Sequence, residues 1–170
     1  MLITGSNGLL GRSLRRCLLQ YKFFVIATGL GADRFDELGG VYEEMDITSF
    51  HSCKSILDKY KPDIVVNTAA LTNVDDCENN MKTCLNINAT SIMSYIPFLL
   101  EYNIHFIQLS TDFVFSGIKG GYLETDICDP VNYYGFSKLQ SEKIILNKLK
   151  NVTIVRTSLV YSNDNLNDNF

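Results

Sequence analysis

The sequence contains few of the residues that bind metal ions. Among 170 residues there are two histidines and five cysteines, and no two cysteines have the CxxC spacing of a zinc or redox motif. The cysteines are odd in number and irregularly spaced, a pattern that does not predict a disulfide framework. The sequence therefore predicts neither a metal site nor a set of disulfide bonds.

Basic charge and long apolar runs are also lacking. The formal net charge is −4, and no basic stripe is present, which argues against a nucleic-acid partner. The longest apolar run is far too short to cross a bilayer. The N-terminus enters a strand directly, without a basic region followed by an apolar stretch. We therefore expect a soluble cytoplasmic protein with no membrane partner, folded as one domain over residues 1–170.

The first eleven residues contain a short strand followed by a glycine-rich turn. Leu2 and Ile3 read as the end of a buried strand, and Gly5, Gly8 and Gly11 follow at three-residue spacing. Such a turn, leading into a helix, brings main chain and helix N–H groups close to a pyrophosphate. A plain strand–helix turn is the alternative, because short glycine motifs also occur by chance.

Strands and helices alternate through the rest of the chain. The predicted strands cover residues 23–27, 41–45, 63–70, 104–109 and 152–157, and the predicted helices cover residues 12–21, 50–60, 82–102 and 133–150. Pro97 should kink or break the third of these helices near Ile96. In the first helix Arg12, Arg15 and Arg16 are expected on the solvent face. The alternation predicts an α/β fold with a doubly wound parallel sheet, the Rossmann fold.

The loop after the second strand bears on the choice of cofactor. In NAD-preferring folds an acid at this strand end binds the ribose 2′-hydroxyl. Here the strand end reads Thr28-Gly29, Asp33 comes late, and Arg34 is suited to a 2′-phosphate. This favours NADP(H), or acceptance of both NADP(H) and NAD(H). The alternative is that Arg34 is only a surface residue of the loop.

Two further features lie near predicted strand ends. Ala69 and Ala70 are small enough for a ligand to lie over the sheet edge, although strand-end packing would explain them equally well. Asp75, Asp76 and Glu78 form an acidic patch. Acids at a helix start are favoured by the helix dipole, so this patch does not predict a metal site.

Candidate catalytic side chains follow the fifth strand and open the next helix. Ser110 and Thr111 place hydroxyls at the ligand edge of the sheet, and Tyr134 and Lys138 share one helix face at i and i+4. A lysine beside a tyrosine favours the phenolate and lowers the tyrosine pKa, which suits proton transfer near neutral pH. An isolated YxxxK pattern is also common on exposed helices. Its combination with the glycine turn and the hydroxyls favours a catalytic site.

Together these motifs resemble the extended short-chain dehydrogenase/reductase superfamily, and within it the dTDP-4-dehydrorhamnose reductase family. The resemblance rests on residues 4–11 (TGSNGLLG), 46–48 (DIT), 61–70 (KPDIVVNTAA), 86–90 (NINAT), 109–115 (LSTDFVF), 134–138 (YGFSK) and 155–157 (VRT). These matches cover nearly the whole sequence.

The resemblance implies a role for each matched residue. The implied cofactor-binding residues are Gly5, Gly8 and Gly11 in the turn, Asp46 and Ile47 beside the adenine, Ala69 and Ala70 on the path to the nicotinamide, Lys138 at the ribose, and Asn88, which would support Lys138 through the helix backbone. The predicted cofactor site also includes Asn7 and Leu9 of the turn and Arg34 of the loop after the second strand. The implied catalytic residues are Thr111, Tyr134 and Lys138. Thr111 would bind the substrate carbonyl oxygen, with Ser110 as the nearby alternative, and Tyr134 would donate the proton.

The implied activity is NAD(P)H-dependent reduction of a nucleotide-linked 4-keto-6-deoxyhexose, as in dTDP-rhamnose biosynthesis. The sequence leaves the oligomeric state open, with a homodimer as one alternative. Relatives continue well beyond residue 170, so we expect a cofactor half with the substrate subdomain largely missing. One alternative is a non-catalytic NADP-binding module like the regulatory subunit of methionine adenosyltransferase, or an inactive fragment. An epimerase or dehydratase of the same superfamily is a third reading, which the LSTDFVF segment disfavours.

Overall fold

The computed structural model describes residues 1–161, which form a six-stranded parallel sheet flanked by helices. The strands are β1 (Leu2–Thr4), β2 (Ile26–Gly29), β3 (Val41–Glu44), β4 (Ile64–Asn67), β5 (His105–Thr111) and β6 (Val152–Thr157). The helices are α1 (Leu9–Gln20), α2 (Phe50–Tyr60), α3 (Val74–Asn79), α4 (Met81–Asn88), α5 (Ile96–Glu101) and α6 (Tyr133–Lys148). Short 3-10 turns lie at Asp36–Leu38, Thr90–Ser94 and Asp112–Val114.

The strand order is β3-β2-β1-β4-β5-β6, and every neighbouring pair is parallel. This confirms the predicted doubly wound Rossmann fold. The chain winds outward in one direction from β1 and in the other from β4, so the switch point lies between these two strands. Ligands of open α/β sheets bind in the crevice at the carboxyl ends of such strands.

The central strands are covered on both faces. All residues of β1 and β2 are buried, as expected for parallel strands between helical layers. Leu2, Val65 and Phe106 contribute to one core cluster with Leu57 and Tyr95 of the connecting segments. The edge strand β6 has no fully buried residue, but Val152 at its start packs against this core cluster.

The second strand lies three residues later than predicted. Phe23 and Phe24 are 50% and 65% exposed, and β2 begins at Ile26. Lys22 turns the chain with a φ of 62°, and the pairing of Ile26 with Leu2 then sets the register. The apolar run over residues 23–27 therefore overlaps β2 only at its end, because Phe23 and Phe24 belong to the connection between α1 and β2.

The predicted helix over residues 82–102 is divided into three parts. α4 ends at Asn88, a 3-10 turn covers Thr90–Ser94, and α5 begins at Ile96. Pro97 occupies the first turn of α5, where its missing N–H costs no hydrogen bond. The break extends upstream of the proline, so the proline starts a helix instead of kinking a longer one.

The prediction that the α1 arginines lie on the solvent face is wrong for Arg12 and Arg15. Arg15 is 1% exposed, and its guanidinium binds both carboxylate oxygens of Asp33 at 2.8 and 2.9 Å. It also donates two hydrogen bonds to the Gly39 carbonyl. Arg12 is 2% exposed and lies over the Phe35 ring, whereas Arg16 is only partly buried. The loop over residues 30–40 folds back over α1 and covers the two arginine side chains that helical periodicity places on the solvent side.

Candidate functional site

The glycine-rich turn is compressed between α1 and the end of β4. Gly5 has a φ of 67°, and a Cβ there would lie 2.7 Å from the Ala69 Cα atom. A Cβ on Gly11 would lie 2.4 Å from the Gly5 carbonyl oxygen. Both positions therefore require glycine, one for its backbone conformation and both for close approach. Gly8 is exposed, and its N–H donates to the Gly5 carbonyl at 2.9 Å.

The N-terminus of α1 is available to an anion. Gly8 is its N-cap, no side chain caps the helix, and its first turn contains no acid. The first-turn N–H groups, beginning with that of Leu9, therefore have no competing carboxylate and carry the positive end of the helix dipole. This arrangement, with a main chain free of side chains at Gly8, suits a pyrophosphate.

Asn7 connects the turn to the loop after β2. Its amide donates to the Tyr42 hydroxyl and to the Ala32 carbonyl, each at 3.1 Å, and its carbonyl oxygen accepts from the Arg34 backbone N–H at 3.1 Å. Asn7 thus holds the backbone of Arg34 beside the turn. The Arg34 residue is exposed.

Asp33 is committed to a structural contact. Its ion pair with Arg15 lowers the pKa of the carboxyl and uses both oxygens. The nearest acid after β2 in the sequence is thus bound to α1, while Arg34 faces solvent. The sequence left open whether this loop favours NAD or NADP, and the contacts favour a loop that presents a cation.

Asp46 and Ile47 follow β3 as the resemblance implies, but their surroundings differ. Ile47 is 8% exposed and packs in the main core cluster. The Asp46 carboxylate accepts from both the backbone N–H and the hydroxyl of Thr48 at 2.8 Å. These contacts shape the turn before α2, whose N-cap Ser49 accepts from Ser52. Contact of either residue with an adenine stays a prediction.

A buried polar network that the sequence reasoning missed joins the ends of three central strands. The Thr4 hydroxyl donates to the Asn67 side-chain oxygen at 2.5 Å, and the Asn67 amide donates to Gln108 at 2.8 Å. The Ala69 N–H contacts the Thr4 hydroxyl at 3.4 Å. Ala69 and Ala70 are both half-buried. The sequence signal that could have revealed this network is the polar residue near the end of each apolar strand.

The start of α6 is held against the end of β5. Asn132 caps the helix by accepting from the Gly135 N–H at 2.8 Å, and the Glu78 carboxylate accepts from the Tyr133 N–H at 2.6 Å. A Cβ on Gly135 would lie only 2.1 Å from the Phe113 carbonyl oxygen. This close contact brings Tyr134 beside Thr111 and packs its ring edge-on against Phe113, with the ring centroids 5.9 Å apart.

The pKa of Tyr134 is raised, contrary to the expectation that Lys138 would lower it. Burial has the largest effect, because it penalises the phenolate, and a hydrogen bond with Thr111 acts in the opposite direction. The phenol is therefore held protonated in this structure. A protonated phenol is the form that donates a proton to a carbonyl oxygen.

Lys138 is buried one helical turn after Tyr134. It is 3% exposed, and burial lowers its pKa to about 8, against the opposing charge of Glu142. The ammonium is thus titratable close to neutral pH. A positive charge in such a dry environment acts strongly on neighbouring groups.

Asn88 is tied to α6 by its side chain. Its amide accepts from the Leu71 N–H at 2.8 Å, and it donates to the Leu71 carbonyl and to the Ser137 hydroxyl, each at 2.9 Å. Ser137 in turn donates to the Tyr134 carbonyl at 2.7 Å. Asn88 thus supports the backbone of the Tyr134 turn from α4, and its role in the cofactor site stays a prediction.

Ser110 and Thr111 have different surroundings. The Ser110 hydroxyl donates to the buried Glu142 carboxylate at 2.5 Å. The Thr111 hydroxyl donates to the Asp112 carboxylate and accepts from the Phe113 N–H, each at 3.2 Å, and it lies beside Tyr134. Of the two hydroxyls left open by the sequence, Thr111 is the one associated with the tyrosine.

Metal-binding clusters and membrane spans are absent from residues 1–161. No group of three or more His, Cys, Asp or Glu residues is arranged to hold a metal ion over that range. All five cysteines are free thiols. No helix in the described part of the chain is both long and apolar enough to span a bilayer.

The chain matches the family described as RmlD substrate binding domain over residues 1–170. It is 34% identical to a dTDP-4-dehydrorhamnose reductase from Aggregatibacter actinomycetemcomitans, covering 95% of this chain and 51% of that protein. It is 37% identical to the spore coat polysaccharide biosynthesis protein SpsK from Bacillus subtilis, covering 98% of this chain and 55% of that protein.

A solved dTDP-4-dehydrorhamnose reductase from Bacillus anthracis, in complex with NADP, has the same fold. It is 29% identical with a TM-score of 0.81, over 94% of this chain and 53% of that one. The chain thus spans about half the length of the relatives that it matches. The family model covers the whole sequence and the fold is shared with the solved reductase, and the chain belongs to the RmlD substrate-binding domain family.

Proposed function

We propose that the chain forms the cofactor and proton-transfer half of an NADP(H)-dependent reductase that acts on the C4 ketone of a nucleotide-linked 6-deoxy-4-ketohexose. The observation that carries the proposal is the cluster at the end of β5. There the Tyr134 ring packs edge-on against Phe113 beside Thr111, and the buried Lys138 lies one turn further along α6. The names of the relatives support a reductase of sugar nucleotides.

The turn between β1 and α1 fits a dinucleotide. Gly5 and Gly11 leave no room for a side chain, and the uncapped α1 N-terminus offers N–H groups to the pyrophosphate. The exposed Arg34 beside the turn, with Asp33 occupied by Arg15, favours the 2′-phosphate of NADP(H) over NAD(H). Asn7 and Ala69 support the walls of this site through the contacts described above.

The side chains divide the reaction between them. When bound, the nicotinamide cofactor supplies the hydride. With substrate bound, the Thr111 hydroxyl donates to the ketone oxygen instead of to Asp112, and that oxygen becomes alkoxide-like in the transition state. Tyr134 then donates its proton to that oxygen. Lys138 stabilises the phenolate that remains and, as the resemblance implies, binds the nicotinamide ribose.

The chain spans about half the length of its relatives. The substrate pocket and the activity of the whole protein are therefore part of this proposal. A nucleotide sugar is the proposed small-molecule partner. A homodimer and a cytoplasmic location stay predictions.

The test is Tyr134→Phe, which removes the donated proton and keeps the ring. Turnover of a dTDP-4-keto-6-deoxyhexose, followed by loss of NADPH absorbance, should fall about 10²–10⁴-fold, while NADPH affinity stays unchanged. Tyr21→Phe is the matched control, because Tyr21 is 74% exposed and far from the cluster in sequence.

Two results would contradict the proposal. Turnover that survives in Tyr134→Phe would remove the proton donor. Saturable NADPH binding by the unmodified protein with no turnover of any nucleotide 4-keto sugar would instead favour the non-catalytic regulatory module.

A further inference from the structure

Glu142 is a buried carboxylate held by three donors. It is 2% exposed. Its Oε1 accepts from the Ser110 hydroxyl at 2.5 Å and from the Arg156 Nε at 3.0 Å, and its Oε2 accepts from the Arg156 Nη2 at 2.6 Å. Burial of a charge is costly unless it is paired and hydrogen-bonded in this way. The carboxylate therefore links α6 to both β5 and β6.

Arg156 extends this link to the 116–131 loop. Its Nη1 donates to the Glu124 carbonyl at 3.2 Å, and its Nη2 contacts the Cys128 thiol at 3.4 Å. The guanidinium lies 5.0 Å from the centre of the Phe115 ring. The ion pair with Glu142 thus joins the catalytic helix to the loop that precedes it.

Glu142 lies one helical turn after Lys138, on the same face of α6. Burial disfavours the Lys138 ammonium, and Glu142 and Cys84 of α4 are the groups that favour it. Around the adjacent Tyr134 the titratable groups are Cys77 on α3, Cys84 on α4 and Asp112 after β5. Glu142 is the fully buried carboxylate among these groups.

We propose that Glu142 is a positioning residue of this site with two effects. It binds the Ser110 hydroxyl, which leaves Thr111 as the hydroxyl that contacts the substrate. Its negative charge, one helical turn from Lys138, keeps Lys138 in its ammonium form. This rests on the proposed function for its effect on turnover. The effect on the charge of Lys138 is measurable without any turnover.

The first experiment is Glu142→Gln with ¹³C-labelled lysine, following the Lys138 Cε resonance against pH by NMR and assigning it from a Lys138→Met spectrum. Gln can still bind Ser110, but the charge is lost, so the Lys138 pKa should fall by about one unit. A merely structural role predicts the opposite, because loosening admits water and returns the pKa toward 10.5. A rise or no change overturns the proposal.

Glu43→Gln is the matched control. Glu43 is a carboxylate bound by Lys59 and by the Tyr60 hydroxyl on α2, so its loss removes one negative charge and a more exposed ion pair away from α6. The Lys138 resonance should titrate as in the unmodified protein. A Lys138 shift equal to that of Glu142→Gln would show a general charge effect and refute a specific role of Glu142.

A second variant keeps the proposal testable if Glu142→Gln does not fold. Arg156→Gln removes a neighbouring cation and leaves the Glu142 charge less balanced, so the Lys138 pKa should rise. In turnover, Glu142→Gln should move the alkaline limb of the kcat/KM profile to lower pH, and Glu142→Asp should restore it. A change of the Lys138 pKa with no turnover in any variant, including the original protein, would refute the proposed reductase function and support the effect of Glu142 on Lys138. Turnover without a change of the Lys138 pKa would refute the effect of Glu142 on Lys138.

Discussion

Gly135→Ala tests the contact that holds the start of α6 against the end of β5. The added Cβ would lie 2.1 Å from the Phe113 carbonyl oxygen and 2.8 Å from the Phe113 carbonyl carbon. The start of α6 must move by about 1 Å to relieve this overlap, because carbon and oxygen normally approach to no less than about 3 Å. Overpacking of this kind costs about 1–3 kcal/mol, against about 1 kcal/mol gained from the helix propensity of Ala.

The same movement separates Tyr134 from Thr111, and a misplacement of about 1 Å can reduce turnover about 10²-fold. Urea unfolding should therefore show a modest loss of stability, and NADPH oxidation with the keto-sugar substrate should show a much larger loss of rate. Gly120→Ala is the control, since nothing lies within 4 Å of its Cβ position. A Gly135→Ala variant that is more stable than the original protein and equally active would refute the contact.

Three further predictions concern the loop after β2 and the support of α6. Asp33→Asn leaves the buried Arg15 without its anion and should lower the free energy of unfolding by about 3 kcal/mol. The pKa of Asp33 is lower in the folded than in the unfolded protein, so its contribution to stability is present above the unfolded pKa and is lost as pH falls through the folded pKa. The urea midpoints of the original protein and of Asp33→Asn should therefore converge in acid. A constant difference between the two midpoints across pH would disprove the pairing. Asn88→Ala leaves the Leu71 N–H without its partner and the Leu71 carbonyl with the weak Cys77 thiol donor, which should cost about 2–3 kcal/mol, and an unchanged urea midpoint would show that water replaces the Asn88 side chain. Arg34→Ala should weaken NADPH binding about tenfold and leave NADH binding unchanged; equal losses for both cofactors in a fluorescence titration would exclude a contact with the 2′-phosphate.

The elements with strong local signals were predicted from the sequence almost to the residue. α2 spans Phe50–Tyr60 as predicted, because Ser49 caps its start and Pro62 follows its end. β6 begins at Val152 and ends at Thr157 as predicted, and α6 begins at Tyr133. Capping and hydrophobic periodicity act over a few residues, so the sequence carries them directly.

The errors lie where distant residues decide. Arg15 is buried because Asp33 and Gly39, more than 17 residues away, return to cover α1. The position of β2 depends on its register against β1. Neither contact has a local signature, since each depends on how the loop after β2 folds.

The sequence by itself determined the α/β alternation, the glycine turn and the i, i+4 pairing of Tyr134 with Lys138. Only the tertiary structure showed that the Ser110 hydroxyl is bound to a buried carboxylate, since Glu142 reaches Ser110 across the interface of α6 and β5. It also decided that the pKa of Tyr134 is raised. Spacing along the chain determines which side chains share a face, but burial and partners from other elements determine their charge and their hydrogen bonds.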